Sequence, residues 1–405
     1  MIRIRNKALI IQKEDFLAFI FSVYFNATII VDVFRLLGQS YIPSISSYTE
    51  IFRNIIYLGV IIGIIISLKW YKIKKEFFGV LIAFIFLLGI SIIINFEIYP
   101  LVLPFLVFFI SRCLTGFYLT LHIKNYKKVL VYLEKYKFII FIYTLLIIKV
   151  YSNLSGAYSE SSYMAISYNL LQVAMVMLAC AICYKKKYYY VFHLYIVIII
   201  LIYGARGTLV CLFAFYIFIY LIIKKKKISI KKIIYTFVII IIMGLILINM
   251  DKILQHLGKE YSFSRNLSLI NADSLLDFSN RSIQYQVFAE QILNNPLLFR
   301  GILSDRLLMS KIFYSEPIYN IYPHNLFLEC FYQFGIVLTI IMSIFIFYKF
   351  IKKLKEINKY ENLERCIFAI LVPVPFVYLM FSGSYLIAYT FWMGLGYLLG
   401  SEKDK

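Results

Sequence analysis

Apolar runs long enough to cross a lipid bilayer recur along nearly the whole chain. A bilayer core takes about 20 apolar residues per helix. Because 62% of the residues are hydrophobic and only 16% are charged, the pattern excludes a soluble enzyme with a single anchor. It predicts an all-α polytopic membrane protein of about 12 transmembrane helices, forming a single integral membrane domain over residues 1–405. The candidate spans are 16–37, 51–68, 77–95, 99–121, 138–151, 164–184, 188–203, 207–223, 233–250, 323–348, 365–382 and 384–400.

The basic residues alternate with these spans. Thirty of the 42 lysines and arginines lie in the two terminal segments and in every second connection. The short connections between them contain none; these are 38–50, 96–98, 152–163 and 382–384. By the positive-inside rule, the pattern predicts a multi-pass protein with both termini in the cytoplasm. It also explains the net charge of +21 without nucleic acid as a partner.

One long hydrophilic loop, residues 251–322, lies between spans nine and ten and faces outward in this topology. Apolar residues at helical spacing over 282–293 predict a short helix within it, which Pro296 should end. Arg281 falls in the first turn of that helix, where a cation is unfavourable to the helix dipole. We interpret Arg281 as part of an anion site; the alternative is an ordinary surface helix with a solvated arginine.

Two other outward-facing residues are suited to chemistry on an anionic substrate. Arg206 lies between Gly204 and Gly207 at the break between spans seven and eight, where a helix N-terminus and a guanidinium can together bind phosphate. The alternative is an arginine that reaches lipid headgroups. His324 lies at the junction of the loop and span ten, and an imidazole there can act as a general base. Its alternative is an interfacial packing histidine.

Further residues are expected to contact substrate. Arg112 lies about midway along span four, where it must find an anion, a partner or water. Glu329 follows Asn325 by one helical turn, on the same face. The predicted substrate-binding set is Arg300, Asn325, Tyr322, Glu329 and Arg112.

Two conspicuous pairs have a structural interpretation. Asp32 and Arg35 lie one turn apart in span one and should form a local ion pair. Cys180 and Cys183 form a C-x-x-C inside an apolar helix without a second pair or a nearby histidine, which favours packing over metal binding. We expect neither a metal nor a cofactor, since the outward side offers no ligand cluster and no nucleotide-binding motif occurs.

The order of these motifs resembles the O-antigen polymerase (Wzy) and O-antigen ligase superfamily. The resemblance covers roughly residues 160–345, whereas the first 150 residues match only in hydropathy. Its most specific part runs from His324-Asn325 to Gly335-Ile336. Two residues depart from the family's pattern. Arg300 stands where a small or apolar residue is usual, and Tyr285 stands where tryptophan is usual.

The resemblance implies a mechanism. Members of the superfamily are metal-independent, inverting glycosyltransferases of the membrane-embedded C type. They act on undecaprenyl-pyrophosphate-linked glycans at the outer face of the bacterial plasma membrane. Carried over to this chain, Arg206 and Arg281 would hold the leaving pyrophosphate, and His324 would accept a proton from the acceptor hydroxyl. These three residues are the expected catalytic set.

The expected function is that of a polysaccharide polymerase for O-antigen or capsule. It would transfer a growing lipid-linked glycan onto a lipid-linked repeat unit. A ligase with a lipid A-core acceptor uses the same donor and chemistry. A flippase for the repeat unit is an alternative of another class, but its halves should be alike, and a scaffold protein would need no chemistry at all. The expected partners are the donor and acceptor glycans, membrane lipid and a chain-length regulator protein.

Overall fold

The computed structural model describes residues 13–41, 48–153, 160–223, 279–313, 319, 321–357 and 361–400, and its regular elements in these ranges are helices. Two short irregular turns interrupt them, a 3₁₀ turn at Phe96–Ile98 and a π-helical segment at Phe109–Leu114. In chain order the α-helices are α1 Lys13–Tyr41, α2 Thr49–Ser67, α3 Lys75–Ile94, α4 Tyr99–Phe108, α5 Thr115–His122, α6 Tyr126–Glu134, α7 Lys137–Asn153, α8 Glu160–Tyr184, α9 Lys187–Tyr203, α10 Arg206–Ile223, α11 Ser279–Asn294, α12 Ser304–Phe313, α13 Leu326–Ile357, α14 Asn362–Leu371, α15 Pro373–Phe381 and α16 Tyr389–Leu399.

The chain is an all-α, multi-span membrane protein. Within the described ranges, seven segments are long and apolar enough to cross a membrane, and α9 and α10 are shorter apolar helices. The seven are Asp15–Gln39, Thr49–Ser67, Lys75–Ile94, Phe96–His122, Met164–Tyr184, Leu326–Ile357 and Asn362–Met380.

The predicted count of twelve spans is not confirmed. The ninth predicted span, 233–250, lies outside the described residues. The twelfth, 384–400, is helical only over Tyr389–Leu399, which is 11 residues. At about 1.5 Å per residue this helix is roughly half the thickness of a bilayer core. The shortfall arises because the residues after Ser382 form a turn rather than the first part of a helix.

Two apolar cores hold the helices together. The larger contains side chains of α1, α8, α9, α10 and α14, among which Cys180 is fully buried. The smaller surrounds Trp392, whose indole N–H donates to the Tyr385 carbonyl at 2.7 Å and whose ring meets Phe109 edge to face. Ile302 and Leu303, from the predicted external loop, are buried in this second core. The loop is therefore packed into the helical bundle at this point.

The predicted ion pair at the end of span one is confirmed. Arg35 Nη2 lies 2.9 Å from Asp32 Oδ1. The other Asp32 oxygen accepts hydrogen bonds from Asn169 at 2.6 Å and from Tyr143 at 3.3 Å. These partners come from α7 and α8, so the pair also joins three helices.

The predicted loop helix is confirmed as α11, and it ends at Asn294, just before Pro296. After this helix the chain lies against α13. The backbone N–H groups of Arg300 and Gly301 both donate to the Gln333 carbonyl at 2.9 Å. Three residues further along α13, the Ile336 N–H donates to the Pro296 carbonyl at 2.8 Å.

An interruption in α13 makes this docking possible. Gly335 has φ 72° and ψ 168°, a conformation that is essentially restricted to glycine. The break exposes backbone groups that an intact helix would use internally. A Cβ at this position would meet the Leu297 backbone at 3.0 Å. Gly335 therefore permits both the backbone turn and the close approach of the loop, neither of which a residue with a side chain would allow.

We expect Gly335→Ala to lower the free energy of unfolding by about 1–3 kcal/mol, because alanine is strained in this conformation. The measurement is the thermal unfolding midpoint of the purified protein in one detergent. Gly59→Ala is the matched control, since a Cβ there meets nothing within 4 Å and alanine favours a helix. Equal midpoints for the two variants would contradict the proposed role of Gly335.

Candidate functional site

His324 occupies an unusual backbone conformation at the start of α13. Its φ is 54°, and a positive φ is uncommon for a residue with a side chain. The next residue, Asn325, caps the helix, because its side-chain oxygen accepts the N–H groups of Phe327 at 3.0 Å and Leu328 at 3.2 Å. The predicted turn spacing is confirmed by the hydrogen bond from the Glu329 N–H to the Asn325 carbonyl. His324 is therefore held in place from the C-terminal side by a capped helix.

The imidazole of His324 is oriented by the turn that follows α15. Its Nδ1 lies 3.2 Å from the Ser382 carbonyl oxygen. The same oxygen accepts the Tyr322 hydroxyl at 3.2 Å, and the Tyr322 and His324 rings are 4.5 Å apart. Because a carbonyl only accepts hydrogen bonds, Nδ1 carries the proton in the neutral ring. The lone pair is then on Nε2, which can take up a proton.

The helix break at Arg206 lies against the same turn. A Cβ built on Gly207 would be 3.8 Å from Ser382 Cβ. The break itself is fixed by the Ser167 hydroxyl, which accepts the Ala205 N–H at 2.8 Å and donates to Thr208 at 2.6 Å. The backbone beside Arg206 and the ring of His324 therefore adjoin one segment, although the Arg206 side chain is outside the described part of the structure.

The other expected catalytic residue, Arg281, lies in the first turn of α11, as predicted. Its side chain is outside the described residues, so its distance from His324 stays a prediction. The described part of α11 packs on α13 through Phe288 and Tyr332, whose ring centroids are 5.1 Å apart.

A fully buried charged cluster lies next to Tyr322, whose ring packs on His324. The Arg306 guanidinium forms ion pairs with Asp305 and with Glu329, the latter at 2.7 Å. It also donates to the Ser384 hydroxyl at 2.7 Å and to the Tyr319 carbonyl at 3.2 Å. Burial acts to lower the pKa of Arg306, but the two carboxylates outweigh it and raise that pKa above its ordinary value. Arg306 is therefore a permanent buried cation.

This cluster, comprising Arg306, Asp305, Glu329 and Ser384, supports the histidine. The Arg306 guanidinium lies 5.5 Å from the centre of the Tyr322 ring, which packs on His324. Ser384 belongs to the same turn as Ser382, the partner of His324. Of these residues, only Glu329 was predicted from the sequence, as a substrate ligand. The one signal for Arg306 was an adjacent Asp-Arg pair within the apolar run ILSDRLLM.

The remaining predicted substrate-binding residues lie apart from the histidine. Arg300 donates to the Gln291 carbonyl at 2.6 Å and to the Tyr332 carbonyl at 3.3 Å. Burial lowers its pKa. These contacts join α11 to α13, and a role in substrate binding stays a prediction. Arg112 lies in the π-helical segment, with its guanidinium 4.9 Å from the centre of the Tyr57 ring.

We expect Arg306→Gln to lower the free energy of unfolding by about 3–5 kcal/mol, because it leaves two buried carboxylates without their cation. The detergent-solubilised protein would be compared with the parent by thermal unfolding. Arg300→Gln is the matched control, since Arg300 is only partly buried and bonds backbone carbonyls. If the unfolding midpoint of Arg306→Gln fell no further below that of the parent than the midpoint of Arg300→Gln, the supporting role of the cluster would be contradicted.

The comparison with known families covers this region. Residues 190–343 match the family model described as O-antigen ligase (Wzy_C). The match begins in α9, ends within α13 and includes the positions of Arg206, Arg281, Arg306 and His324. No curated protein and no solved structure matches the chain. Residues 190–343 are therefore similar to an O-antigen ligase (Wzy_C) family domain, and this region contains most of the site, whereas Ser382 and Ser384 lie beyond it.

Proposed function

We propose that the protein is a polysaccharide polymerase. It transfers a growing glycan from undecaprenyl pyrophosphate onto a lipid-linked repeat unit at the outer face of the bacterial plasma membrane. The family supports the coarser statement, lipid-linked glycan transfer. The observation that supports glycan transfer is the contact of His324 Nδ1 with the Ser382 carbonyl at 3.2 Å, which assigns the proton of the neutral ring to Nδ1 and the lone pair to Nε2.

In this mechanism Nε2 of His324 accepts the proton of the acceptor hydroxyl. The hydroxyl oxygen forms a bond to the anomeric carbon of the donor, from the face opposite the pyrophosphate, so the configuration inverts. The bond between that carbon and the pyrophosphate oxygen breaks. A positioned base contributes about 10²–10⁴-fold to such a step, since a sugar hydroxyl is a weak nucleophile at neutral pH.

The leaving pyrophosphate needs charge stabilisation. Arginine supplies it through bidentate hydrogen bonds to phosphate oxygens. Arg206 and Arg281 are assigned this role. The position of Arg206 supports the assignment, because it begins α10, where N-terminal backbone N–H groups also favour an anion, and because Gly207 adjoins Ser382.

The buried Arg306 cluster has a positioning role in this proposal. The pair formed by Tyr322 and His324 is packed between Arg306 and the Ser382 carbonyl. Buried side chains locked by hydrogen bonds hold a catalytic group in its productive orientation. Glu329 and Asp305 then act through Arg306 rather than on the sugar.

A ligase is the second candidate, and the description of the matched family favours it. It uses the same donor and the same base but transfers the finished glycan to lipid A-core. Deletion of the gene separates the two. We expect a surface glycan with a single repeat, because the repeat unit would still be made and attached. Free polymer without attachment would contradict the polymerase and indicate the ligase.

We expect His324→Ala to abolish most polymer while leaving the membrane level of the protein unchanged. His324→Gln should also fail, because an amide cannot take up the proton. The measurement is the glycan ladder of the deletion strain, complemented with each variant at matched expression. His256→Gln, in the same predicted external loop, is the control and should give the parental ladder. A full-length ladder from His324→Ala would remove the base from the mechanism.

A further inference from the structure

A polymerase of this kind holds two lipid-linked pyrophosphates, and only one of them leaves. The donor loses its pyrophosphate, whereas the acceptor keeps the pyrophosphate that joins its far end to the lipid. The proposed function assigns Arg206 and Arg281 to the departing group. The retained group needs a separate site, because both must be bound during one transfer.

Arg112 has no acidic partner among the residues that the structure describes. It lies in the π-helical segment Phe109–Leu114, between the rings of Tyr57 at 4.9 Å and Phe108 at 4.5 Å. Its guanidinium makes no hydrogen bond or ion pair with any residue that the structure describes. A cation at membrane depth is costly unless it meets a counterion or water. Aromatic faces offset part of that cost but leave the donors unused.

A second arginine, Arg53, lies near the same tyrosine. Arg53 is one turn before Tyr57 on α2, so both side chains lie on the same face of the helix. The Arg112 guanidinium lies 4.9 Å from the centre of the Tyr57 ring, so the two arginines approach the same tyrosine. Arg53 contacts the exposed Glu50, but its Nε is buried and has no hydrogen-bond partner among the described residues. Two arginines near one tyrosine, with donors that no described residue accepts, are arranged for a shared anion.

The pair is connected to the histidine site through a short series of contacts. Phe108, which packs on Arg112, lies 5.9 Å from the ring of Tyr319. The Tyr319 carbonyl accepts a hydrogen bond from Arg306, and Arg306 packs on Tyr322 beside His324. An anion at the arginine pair is therefore separated from the base by a few side chains, which suits an acceptor whose hydroxyl reacts some distance from its lipid.

From this arrangement we propose that Arg53 and Arg112 form a second anion site, which binds the retained pyrophosphate of the lipid-linked acceptor between α2 and the π-helical segment. The proposal rests on the proposed function for the identity of the ligand. The bound phosphate displaces Glu50 from Arg53, so Glu50 competes with the substrate for the site. The rings of Tyr57 and Phe108 contact the Arg112 guanidinium and orient it before the phosphate binds.

The test counts bound lipid and needs no turnover. Purified protein in detergent is titrated with undecaprenyl pyrophosphate, and complexes are resolved by native mass spectrometry. We expect two lipids on the parent protein and one on Arg112→Gln or Arg53→Gln. Loss of one charge-assisted interaction should weaken the second site by about 10- to 100-fold. Arg35→Gln is the matched control, since Arg35 pairs with the buried Asp32 whereas Arg53 contacts an exposed glutamate, and it should still bind two.

Glu50→Gln should change the affinity of the second site in the opposite direction. Removing the competing carboxylate should tighten binding at the second site, whereas a purely structural role for the pair of Glu50 and Arg53 predicts no gain. Thermal unfolding of each variant identifies any that is misfolded, and Arg112→Lys, which keeps the charge, should retain part of the binding. One lipid on the parent protein, or two on Arg112→Gln and Arg53→Gln, would overturn the inference.

Two further binding measurements identify the ligand and separate this inference from the proposed function. Phosphatidylglycerol should not displace the second lipid; equal competition would mean an ordinary phospholipid site and would overturn the acceptor assignment. Arg206→Gln should lose the other lipid. If Arg206→Gln keeps two while Arg112→Gln keeps one, the donor site is wrong and the second anion site stands.

Discussion

The guanidinium of Arg306, withdrawn from water between two carboxylates, is the interaction on which the candidate site depends. A buried charge is tolerated only when its partners and hydrogen bonds are complete, so the surrounding backbone has little freedom. Arg306 joins α12 to α13 through Glu329 and to the turn after α15 through Ser384. The two supports of His324, the Tyr322 ring and the Ser382 carbonyl, are both attached to this cluster.

The local features of the fold could be predicted from the sequence because their signals are local. Hydropathy predicted the positions of the long apolar helices that the structure describes, and Pro296 predicted the end of α11. The glycines around Arg206 marked a helix break, and the spacing of Asp32 and Arg35 indicated their ion pair. His324 could be singled out as a candidate for the same reason, since it lies directly before an apolar helix that Asn325 caps; its role as the base stays a prediction. In each case the residues that decide the structure are within one or two turns of one another.

The parts that could not be predicted depend on residues far apart in the chain. Arg306 bonds Ser384, which is 78 positions later, and no sequence pattern pairs them. The start of α16 could not be predicted for the same reason. Hydropathy does not distinguish a buried turn fixed by Ser384 from the first turns of a membrane span. Arg300 was expected to bind substrate, and this stays a prediction; its described contacts, which include the carbonyls of Gln291 and Tyr332, depend on a fold that the sequence does not show.

The hydrogen bond between Nδ1 of His324 and the Ser382 carbonyl has a consequence for successive rounds of the proposed reaction. Once Nε2 has taken the acceptor's proton, the other N–H of the ring remains committed to that carbonyl. The proton must therefore depart from the side on which the sugar was bound. The newly joined glycan has to move away from Nε2 before the imidazolium can lose its proton. Elongation and proton release therefore become linked steps. The rate at which the polymer slides past His324 would then limit how soon the next repeat can be added.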